Sequence, residues 1–199
     1  KILLQVEKPG RYIGGELHSV IKENKNIHTR IGFAFPDTYE IGMSYPGLQI
    51  LYKLLNDLKG VYCERLFASA TDMENRMREE GIPLFTLETK TPAKELDMLG
   101  FTLQYELCYT NFLNMLNLAG IPLKRDERDD SHPFIMGGGP CTFNPEPVAE
   151  FFDFFVIGDG EEIVKEICEK HRLWKEGKGN RNEFMSTISQ LQGVYVPAF

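Results

Sequence analysis

Three short stretches of this 199-residue sequence place glycines beside hydroxyl, amide and carboxylate side chains in patterns suited to holding a ligand. Residues 36–47 read PDTYEIGMSYPG and carry Asp37, Tyr39, Gly42 and Ser44. Residues 102–106 supply Thr102 and Gln104 next to Tyr105 and Glu106. The third stretch, Gly137-Gly138-Gly139-Pro140-Cys141, is partnered by Gly158-Asp159-Gly160-Glu161-Glu162. Glycines at such places let the backbone approach a flat or phosphorylated ligand closely. They also end many α/β strands for purely geometric reasons. The run from Gly158 is neither GxGxxG nor a phosphate-binding P-loop. The glutamates behind it suit a helix N-terminus and would repel a phosphate there. A flavin or nucleotide module is therefore the weakest reading.

Other reactive residue types are scattered. His18, His28, His132 and His171 are far apart in sequence, and none is assigned a catalytic role. Cys63, Cys108, Cys141 and Cys168 are separated by 45, 33 and 27 residues, with no CxxC pair. Metal and iron–sulfur sites usually carry one short-spaced pair, so these cysteines read as buried small hydrophobes rather than ligands. Phe151, Phe152, Phe154 and Phe155 read as core, because phenylalanine is commonly buried and the run enters a strand.

The elements that must position the three stretches follow from apolar runs and punctuation. Strands are predicted over residues 29–35, 61–67, 83–87, 96–103, 133–136 and 154–157. Helices are predicted over 48–58, 70–80, 109–118, 145–151, 161–170 and 183–191, with Gly60, Gly81 and Gly120 as stops. Alternation at this spacing implies a parallel sheet with helices on both faces. Ligands of such sheets sit beyond the strand carboxyl ends, at the switch in strand order. Residues 1–27 read as an N-terminal arm, with a short amphipathic helix over 16–24, and residues 175–182 as a loop. The apolar end at 193–199 reads as a cut at a domain junction, so the chain is expected to be a fragment.

Composition limits the rest. The chain is 42% hydrophobic and carries a net charge of −7, which excludes disorder and leaves no basic stripe for nucleic acid. No apolar run approaches a membrane span, and no signal-peptide pattern opens the chain. A soluble, cytoplasmic domain is expected.

Several runs together resemble an uncharacterised family of radical-SAM proteins. They are EKPGRYIGGE from Glu7, FPDTYEIGMS from Phe35, GFTLQYEL from Gly100, and GGGP from Gly137 with NPEP from Asn144. In that family a cobalamin-binding-like domain precedes a radical-SAM barrel. The resemblance implies a flavodoxin-like (Rossmann-type) three-layer α/β sandwich with a mainly parallel sheet over residues 28–170. Residues 171–199 then become a connector to a radical-SAM domain, the expected partner in the same full-length chain. It further implies a site of Asp37, Tyr39, Gly42, Ser44, Thr102, Gln104, Gly137, Gly138, Gly139 and Gly158. The wider cobalamin-binding class carries D-x-H-x-x-G, whose histidine ligates cobalt. Here the frame reads Asp37-Thr38-Tyr39-Glu40-Ile41-Gly42, with a phenol in the histidine slot. A phenol with a pKa near 10 donates poorly to cobalt. Cobalamin without a histidine axial ligand is one implication; retention of the fold alone, to position a substrate or partner against the barrel, is the other. CxxxCxxC is absent, so S-adenosylmethionine and a 4Fe–4S cluster are expected only downstream, and this segment is not expected to be catalytic by itself.

Overall fold

The computed structural model describes residues 1–23 and 25–199. Strand β1 (Thr29–Phe35) leads through the short helix α1 (Tyr39–Met43) into α2 (Pro46–Asp57). Then follow β2 (Val61–Phe67), α3 (Thr71–Glu80), β3 (Met98–Thr102), α4 (Tyr109–Ala119) and β4 (Phe134–Gly138). The chain closes with β5 (Phe154–Val156), α5 (Gly160–Gly177), α6 (Arg181–Ile188) and β6 (Val194–Tyr195). The six-stranded sheet has the order β2-β1-β3-β4-β5-β6, all parallel except β6, which runs antiparallel to β5. Five parallel strands in the order 2-1-3-4-5 form the flavodoxin-like arrangement, whose strand order switches between β1 and β3.

Period-two burial along the central strands builds two cores. Ile31, Phe33 and Phe35 face one side with Leu48, Leu55, Ile163, Ile167 and Phe184, so α2, α5 and α6 form that layer. Ala34, Leu99, Phe101 and Ile135 face the other, against Met73 and Met77 of α3 and Phe112 and Met115 of α4. Phe112 stacks on Phe152 with ring centroids 4.3 Å apart, so these phenylalanines are core. Helix α5 runs on through residue 170 to Gly177, and Phe184, Met185, Ile188 and Val196 from residues 171–199 are buried. Asn180 and Glu183 close a reciprocal capping box, which starts α6 at Arg181.

Three local expectations change. Residues 83–87 form no strand: the backbone makes one antiparallel bridge, Phe85 to Pro92, and turns back through a threonine-rich loop. Pro83 and Pro92 lack a ladder donor, and Glu88, Thr86 and Thr89 turn instead onto charges of β2. The helix expected over 16–24 is absent from residues 16–23, where His18 takes a positive φ of 68° and Glu16 and Ser19 reach Arg65; Asn24 lies outside the described residues. The segment 145–151 is a 3₁₀ turn, Glu146–Phe151.

Strand β2 is an edge, yet all seven of its residues are buried. The arm covers it: Val20 O accepts from Tyr62, and Lys22 Nζ donates to Val61 O at 2.6 Å. The loop after Leu84 covers the rest, with Leu87 N donating to Arg65 O at 2.8 Å.

At the opposite end of the sheet from the expected site, His171 is 1% exposed and its Nδ1 meets Thr29 Oγ1 at 2.8 Å. Burial pushes the imidazole down to about 4, against the pull of Asp97 and with the push of Lys175 and His28. The unfolded chain takes up this proton near pH 6.5, the folded chain only near 4, so stability falls as pH drops through that window. Urea unfolding should show about 2 kcal/mol less stability at pH 5 than at pH 7 from this group. His171→Gln should flatten that slope; an unchanged slope would assign the loss to other groups.

Candidate functional site

The carboxyl ends of β1, β3, β4 and β5 open into a cleft of about 370 Å³, bounded by the first turns of α2 and α5. This is the switch point of the sheet. Phe33, Gly100 and Met136 lie in register across three strands and form its floor. A Cβ at Gly100 would stand 2.7 Å from Met136 Cε, so the missing side chain lets Met136 lie flat over the sheet. A Cβ at Gly138 would meet nothing within 4 Å. Leu51, Phe143, Val156 and Val164 supply apolar walls, while Asp159 and Glu161 stand at the start of α5.

Thr102 and Gln104 form the polar edge. Gln104 Nε2 donates to Thr102 Oγ1 at 2.5 Å. Leu103 N donates to Gly138 O at 2.7 Å, and Cys141 N to Leu103 O at 3.1 Å, which locks the two loops together. Gly139 holds φ at 95°, and a Cβ there would press within 2.9 Å of both Gln104 Nε2 and Leu103 O. Only glycine lets the turn close against Gln104.

Of the residues expected at the site, Thr102, Gln104, Gly137, Gly138, Gly139 and Gly158 line this cleft. Asp37, Tyr39, Gly42 and Ser44 do not. Asp37 accepts from Thr38 N at 2.7 Å and from the Tyr105 hydroxyl, tying the loops after β1 and β3 together. That bond pushes the Tyr105 phenol up to about 12. Tyr39 donates to Glu16 Oε1 at 3.0 Å and meets the Phe67 ring edge-on at 5.4 Å, on the arm side of the sheet. Burial and the Glu16 carboxylate raise its phenol. Gly42 is a packing residue, since a Cβ would fall 2.3 Å from Phe67 Cε1. Ser44 caps α1 by donating to Ile41 O at 2.7 Å. The loop of residues 36–47 is largely helical, as α1 occupies its middle.

Sequence reasoning passed over Phe33, Gly100, Leu51, Phe143 and Val164. Gly100 was the usable signal, because a glycine inside an otherwise apolar strand marks a close approach. Cys63, Cys108 and Cys168 are buried, Cys141 half-buried, and burial pushes the Cys168 thiol up to about 12. Among the described residues, no group of three or more His, Cys, Asp or Glu is placed to hold a metal ion. No described helix is long and apolar enough to cross a membrane.

A flavodoxin-like sheet with an open cleft at its switch point places that cleft where α/β domains of this arrangement hold ligands. Residues 47–197 match the family described as "Radical SAM proteins, N-terminal". The chain therefore belongs to that family of N-terminal domains. It is also similar to an uncharacterized protein of Methanocaldococcus jannaschii, 26% identical over 114 residues, or 56% of this chain. The match spans only 24% of that relative's length. No solved structure matches the chain.

Proposed function

We propose that this domain is an accessory to the radical-SAM portion of a longer protein and holds a small molecule in the switch-point cleft. One observation carries the reading: above the floor of Phe33, Gly100 and Met136 the cleft stays open at Gly138, where a side chain would otherwise fill the space. Cobalamin is the occupant implied by sequence resemblance, and its fit is partial. Thr102, Gln104 and the backbone of Gly137–Gly139 and Gly158 would hold it. Tyr39 would not reach cobalt, because its hydroxyl is engaged by Glu16 and its ring by Phe67. When bound, a corrinoid supplies alkyl- and electron-transfer chemistry at cobalt. S-adenosylmethionine and a 4Fe–4S cluster belong, on this reading, to the remainder of the full-length protein.

The test is retention of hydroxocobalamin through a desalting column, read by its visible spectrum. A retained corrinoid whose cob(II)alamin form shows no splitting from a protein nitrogen would support that occupant. Gly138→Leu should abolish retention while moving unfolding stability by no more than about 0.5 kcal/mol, since the new side chain enters open space. A colourless wild-type chain would remove the corrinoid. The second reading, a domain that positions substrate or partner against the barrel, would then stand on Leu107 and Phe143, which are 86% and 77% exposed at this end of the sheet.

A further inference from the structure

Resting on the reading of the cleft as a ligand site, we infer that it takes a planar, amino-substituted nitrogen heterocycle without phosphate: a nucleoside base rather than a nucleotide. The floor and walls favour a flat ring. Phe33, Met136, Leu51, Val156, Val164 and Phe143 present apolar surface, and the space above Gly138 is open. A volume of about 370 Å³ lies within the range of ordinary small-molecule pockets.

The polar edge specifies the ring's rim. Gln104 spends one amide N–H on Thr102 Oγ1, which leaves Gln104 Oε1 as an acceptor, with the Thr102 hydroxyl proton and the second amide N–H as donors. Acceptor and donor belong to two side chains already in hydrogen-bond contact at the cleft edge. They complement an exocyclic amino group next to an unprotonated ring nitrogen, as on the pairing edge of adenine. Gly139 fixes this arrangement by allowing the close approach of its turn to Gln104.

Charge excludes the phosphate. Among the described residues, no lysine, arginine or histidine lines the cleft, whereas Asp159 and Glu161 do. Phosphate sites at helix N-termini gain from unmatched positive partial charge and usually from a cation. At α5 that partial charge is already matched by Glu161 and Glu162 in the first turn. A phosphorylated ligand would bring like charge against two carboxylates with no compensating cation.

Calorimetric titration of the 199-residue chain with adenosine, purine riboside and 5′-AMP tests this. Adenosine should bind, and purine riboside, which lacks the amino group, should bind about tenfold more weakly. The monophosphate should be weaker than adenosine by about tenfold or more. Asp159→Asn with Glu161→Gln should bring 5′-AMP closer to adenosine. Binding of 5′-AMP as tight as adenosine, or no binding of adenosine, overturns the inference. Cobalamin retention separates the two proposals. If cobalamin is retained and adenosine does not bind, the base assignment fails and the cleft reading survives. If adenosine binding is lost in Gly138→Leu and cobalamin is not retained, the corrinoid alone fails.

Discussion

Asp153→Ala should lower the unfolding free energy by about 3–5 kcal/mol, against a total of roughly 5–15 kcal/mol for a native domain. Asp153 is 5% exposed and sits just before β5. Its Oδ2 accepts from Arg128 Nη1, Arg181 Nη2 and Ile135 N, each at 2.7 Å. Arg128 is itself buried, and donates further to Pro122 O, Leu123 O and Phe151 O. Removing the carboxylate leaves a buried guanidinium without its counter-charge and a β4 amide without its acceptor. That is the costly way to break an ion pair. Arg181, the first residue of α6, also loses its carboxylate partner and is left with the carbonyls of His132 and Pro133, so the start of α6 should loosen over Phe134, above whose ring Arg181 lies at 4.3 Å. Urea unfolding followed by tryptophan fluorescence reads both effects, because Trp174 packs against Phe134 and Phe184. A loss below about 1 kcal/mol would mean that water reaches this network readily.

Arg65→Met should cost a similar 3–5 kcal/mol, and the cost should shrink when Glu88→Leu is added. The Arg65 and Glu88 side chains are 2% and 1% exposed. Arg65 donates from Nε to Glu88 Oε1 at 2.6 Å, and its backbone N to Oε2 at 2.7 Å. Nη2 reaches Glu16 and Ser19 of the arm, each at 2.8 Å, and the guanidinium lies 4.7 Å over the Tyr52 ring. Either single change strands one buried charge. The double change removes both and leaves apolar groups of similar volume. A double-mutant cycle with additive losses would show that the pair is not coupled.

These two networks were also what the sequence concealed. Glu64 and Arg65, adjacent in an apolar strand, carry no mark that distinguishes a buried pair from an exposed one. Glu64 finds Arg30, Thr86 and Thr89 only after residues 83–93 have folded back as a loop, and that segment reads as a strand from its apolar run. The five parallel strands are legible as short apolar runs, with proline or glycine closing β1, β4 and β5, whereas the two-residue antiparallel β6 carries no such signal. Half of the site was legible for the same reason. Thr102, Gln104 and Gly137–Gly139 follow strands whose ends define the cleft. The residues after β1 follow a strand too, but no pattern in PDTYEIGMS states which way the chain turns. Here α1 packs Gly42 against Phe67 and carries Tyr39 towards the arm, out of the cleft. A motif's spacing conveys position along the chain, whereas the direction of a side chain depends on the packing of its neighbours.

The covering of β2 by the arm bears on what happens to the chain in a protease-rich or crowded setting. An outer strand with free amides and carbonyls is a template for further strands, and sheet proteins are usually protected from polymerising by keeping such edges short or occupied. At the far side, β6 has only two residues, which offers little length for another chain to pair with. At the β2 side, the seven buried residues share their cover between the arm, through Lys22 at Val61 O, and the body of the domain, through Asn56 at Cys63 and Leu87 and Glu88 at Arg65. A nick within residues 13–22 would therefore do more than shorten a terminus. It would expose the Val61 end of the strand and release Arg65 from Glu16 and Ser19, and Tyr62 from Val20, in one event. The arm guards one end of this edge against self-assembly, and a chain starting at residue 28 would lack that guard.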